Sequence, residues 1–360
     1  MPTGPAGNSG SSSNSGSLAS GGGGGGNKVQ PRLEINLLMT GPAYAKQRDL
    51  FLWALRRQQD RPHADPRSFY QLMGVHGVPF QPYRGLAPPG PPCNSTLQWC
   101  GYCHHGDHLF PTFHRAYLLF LEQHLQPEAA AAARAYARVL PGQARAWRRA
   151  AAALRVPYWD FASGAAARAG IPPFFDEITV LSMRTGKPTN ISNPLRQYRF
   201  PLPTGLPADD FPRFSPRGTL TLRWPQAAAS GSAMRSNTSA LNASVLAHSG
   251  GAWREGVRQL LAEPDWHCFS NHEAPLREPQ RCRALSSLEF VHDLLHRGLG
   301  GPSGHLAHTS IAAFDPLFTL LHASMDRLLA MWQLAHPHDW VSSGVAGGGT
   351  LAVPRGSKVR

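Results

Sequence analysis

Two groups of histidines set the chemistry open to this chain of 360 residues, 17 of which are histidine. His292 and His296 stand four apart in a stretch of helical apolar periodicity, so both rings leave one face of a helix. His322 follows 26 residues after His296, in a second such stretch. Between them lies Gly298-Leu299-Gly300-Gly301-Pro302-Ser303-Gly304, a run that lets the chain reverse. Two imidazoles from one helix and one from the next make a three-nitrogen site with an open position. Such a site suits a metal that does chemistry better than a closed structural ion. An isolated His-x-x-x-His is common in ordinary helices, so the context matters. Asp315-Pro316 opens the second helix, Phe318 lies one turn before His322 and Asp326 one turn after it, both placed to orient the ligand shell.

The other group is Cys103-His104-His105-Gly106-Asp107-His108-Leu109-Phe110-Pro111-Thr112-Phe113-His114. His114 begins a helix, and His104, His105 and His108 lie in the turn before it. His76, at the end of an earlier helix, completes a possible set. Spacing alone does not choose among the three turn histidines.

Helices must position these side chains. Periodicity predicts one from Asp49 to Arg57 and another starting at Asp65-Pro66 and running toward His76. Further helices are expected from Pro111 to about Leu140, Ala144 to Leu154, Ser286 to Arg297 with Gly298 as C-cap, and Pro316 to Gln333. Residues 170–250, rich in Pro, Ser and Asn, read as irregular connections. Composition divides the chain into a disordered Gly/Ser-rich segment 1–30, one domain over 31–341, and a flexible Gly-rich tail 342–360. No run approaches the ~18 apolar residues of a membrane span, so no membrane partner is expected. The net charge is +13, but the arginines are scattered and no nucleic-acid-binding motif accompanies them. Arg145, Arg148 and Arg149 read as a solvated helix face, and no nucleic-acid partner is expected.

At this point the residues resemble a known family. Cys103-x-His105 followed by Leu109-Phe110-x-x-Phe113-His114-Arg115 is similar to the region that holds the first copper in tyrosinases, most of all those of the fungal branch. Phe69-Tyr70-Gln71-x-x-Gly74-x-His76-Gly77-x-Pro79-Phe80 resembles that branch's segment carrying the first ligand. The second-copper region is resembled by Ser287-Leu288-Glu289-x-x-His292-x-x-x-His296, Gly300-Gly301, Gly304-His305, Phe314-Asp315-Pro316-Leu317-Phe318, His322 and Asp326-Arg327-Leu328. Pro157-Tyr158-Trp159-Asp160 is similar to a turn between the two. The likeness runs from about Arg32 to Gln333. It implies a mainly α fold, a four-helix bundle enclosing two coppers, with long irregular connecting loops. His76, His105 and His114 would hold the first copper, and His292, His296 and His322 the second. In the fungal branch a cysteine two residues before the second histidine is joined to that imidazole by a thioether, and Cys103 stands in that place. Two positions depart from the family: Leu321 where a histidine usually precedes the last ligand, and Ser324 where Asn is frequent.

The resemblance implies a type-3 copper oxidase (tyrosinase or catechol oxidase) that uses O2 to oxidise o-diphenols to o-quinones and extends to hydroxylating monophenols. Glu289 matches the family's water-holding glutamate. Asp293 follows His292 where efficient monophenolases often have Asn; a buried carboxylate pair there would raise one pKa toward neutrality and make a base, or equally would hydrogen-bond a ligand histidine and transfer no proton. Thr309 and Ser310 fall near the place where a bulky residue gates the first copper in some catechol oxidases. Competing readings are an oxygen carrier of the haemocyanin type and a catalytically silent metal-binding homologue. His63, His124, His248, His267, His272, His336 and His338 have no motif position and read as surface or loop residues. His104, His108, His305 and His308 read as neighbours of the site. Cys268–Cys282 and Cys93–Cys100 are plausible disulfides. With the sequons at Asn94, Asn190, Asn237 and Asn242, they lean toward a secretory or vesicular compartment, although no charged segment followed by an apolar one opens the chain.

Overall fold

The apolar periodicities fold as helices. This computed structural model describes residues 29–85, 99–172, 177–200, 220–227 and 234–359, and twelve α-helices lie among them. They are α1 (Ile35–Thr40), α2 (Ala45–Gln59), α3 (Phe69–Gly74), α4 (Phe110–Val139), α5 (Ala144–Ala153), α6 (Gly164–Ala169), α7 (Thr238–Ser249), α8 (Ala252–Leu261), α9 (Trp266–Ser270), α10 (Glu273–Arg277), α11 (Leu288–Gly300) and α12 (Leu317–Ala335). Three short antiparallel pairs supply the strands: β1 (Glu177–Leu181) with β2 (Pro188–Ser192), β3 (Pro225–Ala227) with β4 (Met234–Ser236), and β5 (Gly344–Val345) with β6 (Lys358–Val359). The fold is mainly α. α4 packs on α2 and α12, and α12 on α11, which makes the four-helix core. The Gly/Ser-rich residues 1–28 lie outside the described residues.

The core helices are built by one-sided burial. α11 buries Leu288, Val291, His292, Leu295, His296 and Leu299, an i, i+3, i+4 stripe, and Ser287 caps it by accepting the Phe290 N–H at 3.1 Å. α12 is buried from Leu317 through Met325 and again at Leu328, Leu329 and Trp332. Asp315 accepts the Leu317 N–H at 2.9 Å at its start. The same carboxylate receives Arg223 in a bidentate pair at 2.7–3.1 Å, and Arg223 also donates to Leu195 O at 2.9 Å. Both charges are buried, so this pair pins two long connections to the end of the helix that carries His322.

Several boundaries differ from the sequence reading. α3 begins at Phe69 with Ser68 as its cap, because Asp65 is already engaged by Arg61 and the Arg67 N–H. α11 runs through Gly298 to Gly300, and Gly301 follows as its C-cap with a φ of 75°, a region that favours glycine. Gly298 instead serves packing: a Cβ there would fall 2.5 Å from the Trp253 ring. α7 lies in a stretch expected to be irregular. Its cap is Asn237, which accepts the Ala240 N–H, and Asn242 within it accepts the Ile171 N–H at 2.9 Å. All three sequon asparagines among the described residues therefore use their amides internally, Asn190, exposed on β2, by accepting the Thr179 hydroxyl at 2.6 Å, and Asn94 lies outside the described residues. Residues 342–359, read as a tail, make backbone bonds: Leu351 N–H donates to Gly101 O at 2.8 Å, and Thr350 is buried. Cys268–Cys282 forms as expected. Cys100 is disulfide-bonded, and its expected partner Cys93 lies outside the described residues. Among the described residues no helix is long and apolar enough to cross a membrane.

Replacing Arg223 by Met leaves Asp315 as a buried charge without a counterion. Denaturant unfolding is expected to show a loss of about 3–5 kcal/mol, most of it recovered when Asp315→Leu is added. A single variant as stable as the parent would show that the pair does not anchor α12.

Candidate metal centre

Three elements deliver the first group of histidines. His76 follows α3, His105 sits in the loop before α4, and His114 lies in the second turn of α4. His76 and His105 have ring centroids 5.3 Å apart, and His105 and His114 5.6 Å. α11 and α12 supply the second group. His292 is 4.3 Å from His296 and 5.0 Å from His322, and His296 is 5.5 Å from His322. The groups face each other, with His114 stacked on His322 at 4.8 Å. Nitrogen and sulfur atoms of His76, Cys103, His105 and His114 lie within 4.8 Å of one another, as do those of His114, His292 and His322. The six rings expected from the sequence thus converge. In the second cluster, however, His114 rather than His296 is the third close atom, with His296 beside it.

Hydrogen bonds aim the rings. Nδ1 of His114 lies 2.7 Å from Phe110 O, Nδ1 of His322 2.8 Å from Phe318 O, and Nδ1 of His296 2.5 Å from Leu306 O. A carbonyl only accepts, so each Nδ1 carries the proton and each Nε2 keeps its lone pair. His292 is held in the same sense by Asp293 Oδ1 at 3.0 Å. The Nε2 atoms of His76, His292, His296 and His322 are buried with no hydrogen-bond partner. Buried lone pairs without donors are what a metal ion would satisfy, and imidazole suits copper or zinc. Burial also keeps the rings neutral, as ligation requires. It depresses the pKa of His76, His105, His292 and His322 well below the usual value, and that of His114 to about 3.

The surrounding residues divide. Phe318 is buried against the site: its ring stacks on His322 at 3.8 Å and meets His76 edge-on at 4.9 Å. Asp326 does not reach a histidine. It binds Arg32 and Arg115, and so ties α12 to the residue after His114. Ser324 likewise bonds the backbone of Trp159 rather than a ligand. His104 pairs with Asp107, and His305 Nδ1 accepts the Leu222 N–H, so neither turns into the centre. Cys103 is a buried free thiol with Sγ 3.6 Å from His105 Nε2 and 3.1 Å from His114 Nε2.

The carboxylates form a junction. Glu289 is 0% exposed and accepts the Gly106 N–H at 2.8 Å and the His272 N–H at 3.3 Å. Gly106 takes a φ of 67° there. Burial raises the Glu289 pKa to about 8. Asp293 Oδ2 receives His272 Nδ1 at 2.8 Å, and this bond raises the His272 pKa to about 9. His272, which carries no motif, is the residue that sequence reasoning missed. No local signal marks it, since it arrives from a loop distant in sequence. A cavity of about 220 Å³ opens onto these groups, lined by His76, His105, His272, His292, Asp293 and His296. Arg297 and the small residues Ala307, Thr309 and Ala312 complete its wall.

A family model described as the common central domain of tyrosinase matches residues 66–335. A polyphenol oxidase of Agaricus bisporus (polyphenol oxidase 4) is 35% identical over 318 residues, covering 86% of this chain and 48% of that protein. A tyrosinase of Neurospora crassa is 32% identical over 313 residues, with 83% and 43% covered. The chain spans about half the length of the curated relatives it matches. The solved structure of recombinant mushroom tyrosinase superposes with a TM-score of 0.76 at 30% identity, covering 93% of this chain and 56% of that one.

The buried imidazoles make the metal-free chain acid-labile. Each has a folded pKa below its unfolded value of 6.5, so the unfolded chain protonates first and stability falls as pH drops through that value. The slope is about 1.4 kcal/mol per pH unit for each ring. His272 has a raised pKa, so its contribution is lost only as pH rises from 6.5 through about 9 and is constant on the acid side. The Tm of the metal-free chain is expected to fall by more than about 5 °C between pH 6.5 and 5. A flat profile over that interval would mean that the rings are not held neutral.

Proposed function

The chain belongs to the tyrosinase family, and on that premise we propose that it is a dinuclear copper oxidase that uses O2 to oxidise o-diphenols to o-quinones. The observation that carries this is the convergence of six imidazoles, five buried and His105 half-buried, four with partnerless Nε2 atoms, under one cavity. His76, His105 and His114 would hold one copper, and His292, His296 and His322 the other. When bound, the metal pair supplies the two-electron exchange between dioxygen and the phenol.

The chain's own residues do the rest. The backbone carbonyls of Phe110, Leu306 and Phe318 keep three ligand rings in the tautomer that presents Nε2. Phe318 fills the space between the ligand groups and excludes water from it. A thioether from Cys103 to the His105 ring, the bond found in the fungal branch, would restrain that ring. Ala307, Thr309 and Ala312 put small side chains on the cavity wall that includes His296, where an aromatic substrate would approach. A catechol bound there gives up two protons with its two electrons. Asp293 borders the cavity and is the carboxylate that such a proton meets first, while Glu289 stands behind it, bound to backbone donors. Hydroxylation of monophenols would use the same pair to take the phenol proton before oxidation.

Copper reconstitution with measurement of metal content and of oxygen uptake with a catechol tests the reading. About two coppers per chain and sustained oxygen uptake are expected. His292→Gln should lose one copper and reduce turnover by more than the roughly 10–100-fold that loss of an outer partner costs. Copper uptake with reversible oxygen binding but no catechol turnover would mark a carrier. Zinc uptake without copper would mark a silent homologue. Either result overturns the proposal.

A further inference from the structure

His272 touches both carboxylates of the site, and neither the motif pattern nor the reading above gives it a task. It lies between α9 and α10, inside the loop closed by the Cys268–Cys282 disulfide. Its backbone is fixed twice over. Its N–H donates to buried Glu289, and the neighbouring Asn271 side chain accepts the N–H groups of Glu273 and Ala274 at 3.1 and 3.0 Å. With the backbone held, the ring reaches across to Asp293 on α11, Nδ1 to Oδ2 at 2.8 Å, while Asp293 Oδ1 lies 3.0 Å from His292 Nδ1.

Adjacent residues on a helix point about 100° apart, so Asp293 does not face His292 by helical geometry alone. A partly exposed carboxylate left to itself turns to water, or offers an anionic oxygen to a nearby metal. Here both oxygens are taken. We propose that His272 is a positioning residue for the second metal site: by occupying Oδ2 it holds Asp293 in the rotamer that fixes the His292 ring with Nε2 toward the metal. This rests on the reading of the site as a dinuclear copper centre. The pair is partly exposed, so solvent screening limits its weight in stability and its main effect falls on the metal.

The test uses the full chain loaded with copper and titrated with a competing chelator, beside His272→Leu, His272→Asn and both histidine substitutions in an Asp293→Ala background. In His272→Leu one of the two coppers should be lost about 10- to 100-fold more readily, the other unchanged, with the metal-free Tm close to that of the parent. His272→Asn keeps an N–H near the Nδ1 position and should restore retention to within about 3-fold of the parent. In the Asp293→Ala background His272→Leu should add less than about 2-fold, since the two act through one contact. The proposal fails if His272→Leu retains both coppers as the parent does, or if its effect persists undiminished without Asp293. Should the leucine variant not fold, retention by His272→Asn and its dependence on Asp293 still decide the matter. A parent chain that takes up no copper overturns the reading of the site itself, a result distinct from a parent that binds two and variants that differ only in fold.

Discussion

The ligand imidazoles, five of them buried and His105 half-buried, have to be neutral and aimed at once, and the rest of the structure answers to that. A ring nitrogen taken from water without a partner is costly, so one nitrogen must find a protein acceptor while the other stays free. The solution is mostly backbone. Phe110 O and Phe318 O each lie one turn before the histidine they hold, on the same helix, so the tether is built into helical geometry. Leu306 O does the same for His296 from a separate loop. Of the four rings held in this way only His292 depends on a side chain, Asp293, and that side chain depends on the neighbour that fixes it.

Glu289 is where separate parts of the chain become one site. Its buried carboxylate joins the His105 loop through Gly106, the disulfide-closed loop through His272, and its own helix α11. Farther out, Asp326 joins α12 to Arg115 beside His114, and Ser324 joins α12 to the Trp159 turn. These contacts hold α4, α11 and α12 in register, so that rings from these helices and from the segments before α4 meet at a precision that no single helix provides.

Much of this was legible beforehand. The four-residue spacing of His292 and His296, the apolar stripe around them and the second helix with His322 require only helical periodicity. The two histidine groups needed no tertiary information to be recognised as metal-binding candidates. Spacing did not choose among His104, His105 and His108; the resemblance implied His105, two residues after Cys103. All three share one turn, and only His105 lies against His76 and His114, while His104 is drawn off by Asp107. Asp326 shows the reverse error: its spacing to His322 is that of an orienting residue, but two arginines outcompete the ring for it.

Local sequence determined what depends on neighbours within a turn or two: the helices, most of their caps, the paired ligands on α11 and the tethers on α4 and α12. Tertiary structure decided what depends on segments far apart in the chain. It extended α11 past Gly298 because the Trp253 ring takes the place of a side chain there. It turned Glu289 into a junction and brought His272, an unremarked loop residue, to the edge of the cavity. The physical reason is range: periodicity reports one helix face at a time, whereas the partner of a buried charge or a ring nitrogen is set by whichever distant segment packing brings within about 3 Å.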